Sequence, residues 1–239
     1  MLAMIPECNL CGSRSFSNVK TRPLARCRGC GSYERTRLLW LYIERELKNK
    51  SFSRVLHIAP ELGIYNKLKD ILDPDSYTVA DFQPKNYSFV HNCRHIDLTD
   101  LSKWPDKQYD MIIHSHVLEH VSCNIAYTLF HLHRMLDEHG KHICIIPFSE
   151  GRWDESFQQL SSKERIMRFG QSDHIRRFGK DDISQHLGSI MRIPSSYEAR
   201  SQFSELVLKS ANIPLEACSS YSINSVLIFN KNDYLLSFA

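Results

Sequence analysis

The chain has 239 residues, 42% of them hydrophobic and 24% charged, with a formal net charge of +3. That content suits one mid-sized globular core with a small appendage. No apolar run approaches the roughly 20 residues of a membrane span, and residues 1–6 lack the charged start of a signal peptide, so the expected compartment is the cytoplasm.

Four cysteines come first. Cys8-Asn-Leu-Cys11-Gly12 and Cys27-Arg-Gly-Cys30-Gly31 form two CxxC pairs, the ligand set of a structural Zn²⁺ site rather than a disulfide framework. A CxxC turn puts two thiolates on one side of a tight loop, and the glycine after it lets backbone N–H groups turn toward sulfur. Residues 1–33 are therefore expected to be a zinc ribbon. Residues 1–50 hold ten Lys/Arg (Lys50 the last) against four Glu, a basic excess that compensates a buried metal–tetrathiolate centre or offers a handle for nucleic acid; compensation is the favoured reading. Cys93, Cys123, Cys144 and Cys218 are scattered and read as small core residues.

Glu34 to Lys48 reads as a linking helix, its apolar stripe made by Leu38, Leu39, Tyr42, Ile43 and Leu47. After a polar break at 49–53, a domain is expected over 51–239. Strands are predicted at 54–59, 77–80, about 95–97, 109–114 and 140–146. Helices are predicted after Gly63, with Leu62, Tyr65, Leu68, Ile71 and Leu72 on one face, and over 124–136. This alternation is the pattern of a parallel sheet covered on both faces. Residues 149–178 are polar, aromatic and basic, without clear strands, and suggest a lid or substrate-binding insertion. A helix is expected to restart over 180–187 behind Asp181 and Asp182, and a late strand to run over 222–229.

Ligands of an open parallel sheet sit at the C-terminal strand ends. Those ends carry Ala59-Pro60-Glu61-Leu62-Gly63, Asp81, Asp97 and His114-Ser115-His116. An acidic residue ending the second strand can accept both hydroxyls of a ribose, which singles out Asp81.

The runs Leu56-His-Ile-Ala-Pro-Glu-Leu-Gly63, Ala80-Asp81, Ile96-Asp97-Leu-Thr-Asp-Leu101 and Tyr109-Asp-Met-Ile-Ile-His-Ser-His-Val-Leu-Glu-His-Val121 resemble a class I S-adenosylmethionine-dependent methyltransferase, of the type 11 kind, with an added zinc ribbon. The resemblance covers about residues 53–148, and the late strand fits the family's terminal hairpin. It implies a Rossmann-like α/β fold with a seven-stranded sheet and S-adenosylmethionine as cofactor. Ala59, Pro60, Glu61 and Gly63 would lie beneath its methionine part. Asp81 would bind the ribose diol, Asp97 and Leu98 the adenine, and His114, Ser115 and His116 would line the cleft near the sulfonium. The usual glycine-rich loop is replaced by His57-Ile-Ala-Pro-Glu61, with two glycines missing.

For a hydroxyl acceptor a base matters, and the candidates are His116, His120 and His174, with His120 ranked last because it should lie on a helix. His174-Ile-Arg-Arg-Phe-Gly179 resembles a further element of the subgroup, so His174 and Arg176 are expected to face the cleft. The favoured acceptor is a polar small molecule or glycan, methylated on O or N. An RNA methyltransferase docking RNA through the ribbon is the alternative, weakened by only Phe16 and Tyr33 as stacking residues in the ribbon. A non-catalytic adaptor is a third reading, opposed by Asp81 and Asp97. Acceptor identity and oligomeric state stay open.

Overall fold

A computed structural model describes residues 5–49 and 52–236. Lys50 and Ser51, where the linking helix was expected to end and the domain to begin, lie outside the described residues. So do residues 1–4 and 237–239.

The N-terminal hairpin is β1 (Phe16–Val19) against β2 (Arg22–Cys27). Helix α1 (Glu34–Asn49) follows, with Glu34 in its first turn and Lys48 in its last, each placed to suit the helix dipole. Its predicted stripe is buried except Leu47, which is only partly covered. Then come β3 (Val55–Ile58), α2 (Leu62–Ile71), β4 (Tyr77–Asp81) and β5 (Cys93–His95). Strand β6 (Tyr109–Ser115) leads to α3 (Ile125–Met135), whose Asn124 caps it by accepting from the Ala126 N–H. The rest is β7 (Leu136–Ile145), β8 (Phe148–Ser149), β9 (Asp154–Glu155), α4 (Ser162–Phe169), β10 (Arg176–Gly179), α5 (Glu205–Ser210) and β11 (Val226–Asn230). No described helix is long and apolar enough to cross a membrane.

The central sheet has the order β11-β7-β6-β3-β4-β5. All its pairings are parallel except β11 against β7. It therefore has six strands among the described residues, one short of the number expected, and β11 stands alone where a hairpin was anticipated. Strand order reverses around β3, which pairs β4 on one side and β6 on the other. Side chains alternate across the sheet with period two. Leu56, Ile58, Ile112, Cys144 and Ile146 pack with α3 and the insertion. Val55, Met111, Ile113, Ile143 and Ile145 pack with α1, α2, α5 and the N-terminal module.

Three local readings change. In α2 the buried face is Ile64, Tyr65 and Leu68, while Leu62 and Ile71 are exposed, because the ribbon and sheet approach from that side. The insertion is not strandless: β8, β10 and β9 form a small sheet, and α4 opens on a reciprocal Ser161–Glu164 capping box. The helix expected over 180–187 is absent; a 3₁₀ turn at Leu187–Ser189 stands near its end. Asp182 caps no helix there and instead accepts from the Trp153 N–H at 2.9 Å. Of the scattered cysteines, Cys144 and Cys218 are buried and Cys93 and Cys123 only partly so.

The ribbon is part of the body's core. Cys8, Leu10 and Cys27 belong to the same apolar cluster as Leu38, Ile64 and Leu208. A Cβ on Gly63 would stand 3.0 Å from Leu10 Cδ1 and 3.4 Å from Cys30 Sγ. Gly63 is thus the place where α2 must lack a side chain for the ribbon to dock. Arg37, fully buried, donates to the carbonyls of Ala25 and Ser32 in the ribbon and to those of Ala211 and Asn212 beyond α5.

Candidate functional site

The Sγ atoms of Cys8, Cys11, Cys27 and Cys30 lie within 4.8 Å of one another. Cys8–Cys30 and Cys11–Cys27 are 3.7 and 3.5 Å apart, and all four thiols are free. Four sulfurs at a Zn–S length of about 2.3 Å stand about 3.8 Å apart in a tetrahedron, so this donor set fits Zn²⁺. A disulfide needs S–S near 2.0 Å and is excluded. Gly12 and Gly31 take φ of +73° and +75°, which turns each knuckle, and Gly29 N–H donates to Cys27 Sγ at 3.3 Å.

At the C-terminal strand ends lies a cleft of about 450 Å³, within the range of small-molecule sites. One end is lined by Asp81, Phe82, Tyr87, Asp97, Leu98 and Thr99. Asp81 accepts from the Gln83 N–H at 2.6 Å and from the Tyr87 hydroxyl at 3.0 Å, which fixes its carboxylate at the end of β4. Asp97 accepts from the Thr99 N–H and hydroxyl on Oδ1, leaving Oδ2 for another donor. Phe82 is 58% exposed beside them, a bare ring at the cleft edge.

The other end is lined by His116, His120, Ser122 and Asp173. His116 spans a gap: its Nε2 is 2.9 Å from the Ile223 carbonyl and its Nδ1 is 3.4 Å from Glu119 Oε1. Glu119 is 1% exposed. Burial pushes its pKa up, but the attraction of His116, a backbone amide and His120 outweighs burial and holds the carboxyl below its ordinary value. At 3.4 Å the His116 contact is charge attraction rather than a formed hydrogen bond, and both Glu119 oxygens lack a hydrogen-bond partner.

Two residues at strand ends hold left-handed backbones without being glycine, Ala59 (φ +52°) and His116 (φ +54°). Both line the cleft. Ala59 stands in the loop that has lost its glycines, yet it keeps the conformation glycine would favour. Such residues cost on the order of 1–2 kcal/mol and cluster at functional sites.

The expected site residues divide. Ala59, Asp81, Asp97, Leu98 and His116 line one cleft. Pro60, Glu61 and Gly63 do not: Glu61 N-caps α2, with Oε2 3.8 Å from buried His57 Nε2, and Gly63 serves ribbon docking. His114 and Ser115 are buried in the sheet. His114 Nε2 meets His142 Nε2 at 2.8 Å, and burial takes its pKa down to about 3. His114 lies within β6 and is buried, whereas His116 follows the strand's last residue and leaves the sheet with a left-handed φ of +54°.

Arg176 does not face the cleft. It is fully buried, pairs with Glu155 at 2.6 Å, and donates to the carbonyls of Leu118 and Cys123. It clamps the turn that carries Glu119 and His120. His174 is buried behind the cleft wall, its ring 4.7 Å from that of His120. Phe82, Tyr87, Ser122 and Asp173 carried no sequence signal, since single residues in loops have no periodicity to read.

Residues 68–144 match the family model of the methyltransferase domain, from within α2 to the end of β7. Among solved structures, the YcgJ protein of Bacillus subtilis is 13% identical with a TM-score of 0.46, the match covering 76% of this chain and 80% of that one. A methyltransferase complexed with the Trm112 activator of Haloferax volcanii is 14% identical with a TM-score of 0.42, over 79% and 87% of the two chains. The trans-methyltransferase CalH complexed with S-adenosylhomocysteine is 19% identical with a TM-score of 0.34, over 47% of this chain and 40% of that one. These likenesses bear on neither substrate nor partner. A comparison with curated proteins finds no match. The matched segment supplies the strands whose ends carry Asp81, Asp97 and His116, and residues 68–144 thus carry a methyltransferase domain.

Proposed function

We propose that the chain methylates an oxygen or nitrogen of a polar small-molecule or glycan acceptor. The observation that supports this most is the division of one cleft into a carboxylate end and an imidazole end. The residues fit the cofactor on their own chemistry. Asp97 Oδ2 is free to take an exocyclic amine, Leu98 offers an apolar surface, and Asp81 can accept from two hydroxyls. When bound, S-adenosylmethionine supplies an electrophilic methyl carbon on a sulfonium. This chain's part is to hold the acceptor's lone pair in line with that carbon in a site with little water, which is where most of the rate comes from.

The imidazole end would hold the acceptor. His116 has both ring nitrogens engaged, so its role is to brace the loop after β6. His120, Ser122 and Asp173 are the polar side chains left there to meet an acceptor hydroxyl or amine. We also infer Zn²⁺ at Cys8, Cys11, Cys27 and Cys30, in a structural role. Arg37 on α1 is turned into the body, while Lys20, Arg26 and Arg28 of the ribbon are exposed, so RNA docking through the ribbon is kept as the second reading. The test is transfer from methyl-labelled cofactor to fractionated cell extract. A labelled small polar product, lost with His120→Ala while S-adenosylhomocysteine binding persists, supports the reading. Label appearing only in RNA would overturn it.

A further inference from the structure

Glu119, His120 and His174 form a second cluster of ligand-type side chains, remote from the four cysteines in sequence. One potential ligand atom from each lies within 4.8 Å of the others. The backbone builds the cluster: the Ile175 N–H donates to the Glu119 carbonyl at 3.0 Å, which sets the His174 segment beside the turn after β6. Arg176 locks that turn through the carbonyls of Leu118 and Cys123.

A buried carboxylate without hydrogen-bond partners is costly and calls for an explanation. His116 faces Oε1 only and at 3.4 Å. Oε2 has no partner. Beside it, His174 has Nδ1 3.2 Å from the Phe169 carbonyl. A donor at Nδ1 leaves Nε2 with the lone pair, the arrangement by which a backbone carbonyl orients a metal-binding imidazole. His120 lines the cleft, with Asp173 Oδ2 3.4 Å from its Nδ1.

We propose that Glu119, His120 and His174 bind a divalent transition-type cation, such as Zn²⁺ or Co²⁺, at the imidazole end of the cleft. One carboxylate and two imidazoles are a donor set for such ions. Ligands at about 2.0–2.2 Å from a common ion stand about 3.4 Å apart, and the half-exposed His120 is the side chain free to close the difference. Two charges on the ion would neutralise Glu119. Three protein ligands leave a position open toward the cleft, where an acceptor oxygen would bind. That last role rests on the proposed methyl transfer; the binding of the ion does not.

The test counts metal on the full chain. The protein is dialysed against excess Zn²⁺, freed of loose ion and analysed for zinc per chain. Two equivalents are expected for the natural sequence, and one for Glu119→Gln and for His120→Ala. His120 is partly exposed, so its variant keeps the fold even if Glu119→Gln does not. Co²⁺ loading separates the sites: the tetrathiolate gives an intense thiolate charge-transfer band, and the second equivalent adds only weak bands that His120→Ala removes. One equivalent in the natural protein, or two in both variants, overturns the proposal. S-adenosylhomocysteine binding by the same samples reports separately on the methyltransferase reading.

Discussion

Two arginines, each fully buried, fasten the two additions to the central sheet, and they do so against different charges. Arg176 holds the insertion on one face and has a carboxylate partner, Glu155 at 2.6 Å. Arg37 holds the ribbon on the other face and donates to carbonyls alone. Burial lowers the Arg37 pKa, and the neighbouring charge of Cys8, then Glu34, then Cys27 and Cys30 works against that. The cation under the ribbon thus faces Cys8, Glu34, Cys27 and Cys30 rather than a paired carboxylate, and the proposed zinc–tetrathiolate would supply negative charge to it. The ribbon is electrostatically part of the body. The insertion carries its own counter-charge and is held to the sheet by apolar packing through Phe178 and by its clamp on residues 118–123.

The largest way to break the contrast is to remove the proposed zinc. Cys30→Ser, or a strong chelator, should unfold the ribbon and lower the melting temperature of the whole chain by on the order of 10 °C, about 3 kcal/mol or more at this size. Calorimetry checks this. An unshifted main transition would mean the ribbon is an independent appendage.

Next, Arg37→Met strands carbonyls of both ribbon and body. Buried unsatisfied groups cost about 1–3 kcal/mol each, so a loss of about 3 kcal/mol is expected, with S-adenosylhomocysteine affinity unchanged. Arg176→Met should do the opposite on affinity grounds, loosening the His120 turn and depressing turnover. Urea denaturation and calorimetric titration on the pair of variants read both quantities.

Asp81→Asn should weaken S-adenosylhomocysteine binding by about 1.5–3 kcal/mol, ten-fold or more, with little change in melting temperature. Titration calorimetry measures it, and equal affinity would remove Asp81 from the ribose site.

Acid probes the sheet between the two faces. His114 is held neutral, its pKa down to about 3, while the unfolded ring titrates at the ordinary value of 6.5. Below that value the unfolded chain takes up the proton and the folded chain does not. Stability should therefore fall as pH drops from about 6.5 toward 3, by about 2 kcal/mol at pH 5 from this ring. His142 and His133 are shifted in the same direction by burial. His114→Phe should flatten the pH dependence of the urea midpoint in that window.

The smallest effect belongs to Ala59→Gly. It relieves a left-handed alanine at φ +52° but frees the unfolded chain. Stability should change by less than about 1 kcal/mol, and cofactor affinity should hold.

Much of this was legible in the sequence because it is periodic or closely spaced. The two CxxC knuckles, the alternation of strand and helix from 54 to 146, and the acidic strand ends at Asp81 and Asp97 are all local signals. What was not legible depends on contacts far apart in the chain. Gly63 reads as a cofactor-loop glycine, and only the docking of Leu10 and Cys30 explains it otherwise. Arg176 reads as a substrate clamp because charge in an insertion looks functional, yet it pairs with Glu155 inside the insertion and donates to carbonyls some fifty residues away. His114 and His116 share a strand face by spacing, and only the left-handed backbone at His116, just past the end of β6, turns the second ring out of the sheet. The ribbon appeared separable because its ligands are contiguous, while its shared core with Ile64 and Leu208 is not.

The most direct test of the account is a crystal structure with S-adenosylhomocysteine bound. The account predicts adenine against Leu98 with its amine on Asp97, ribose hydroxyls on Asp81, and the sulfur facing His120 and Asp173 across open space. A cofactor product bound elsewhere, or its sulfur turned away from the imidazole end, would contradict it.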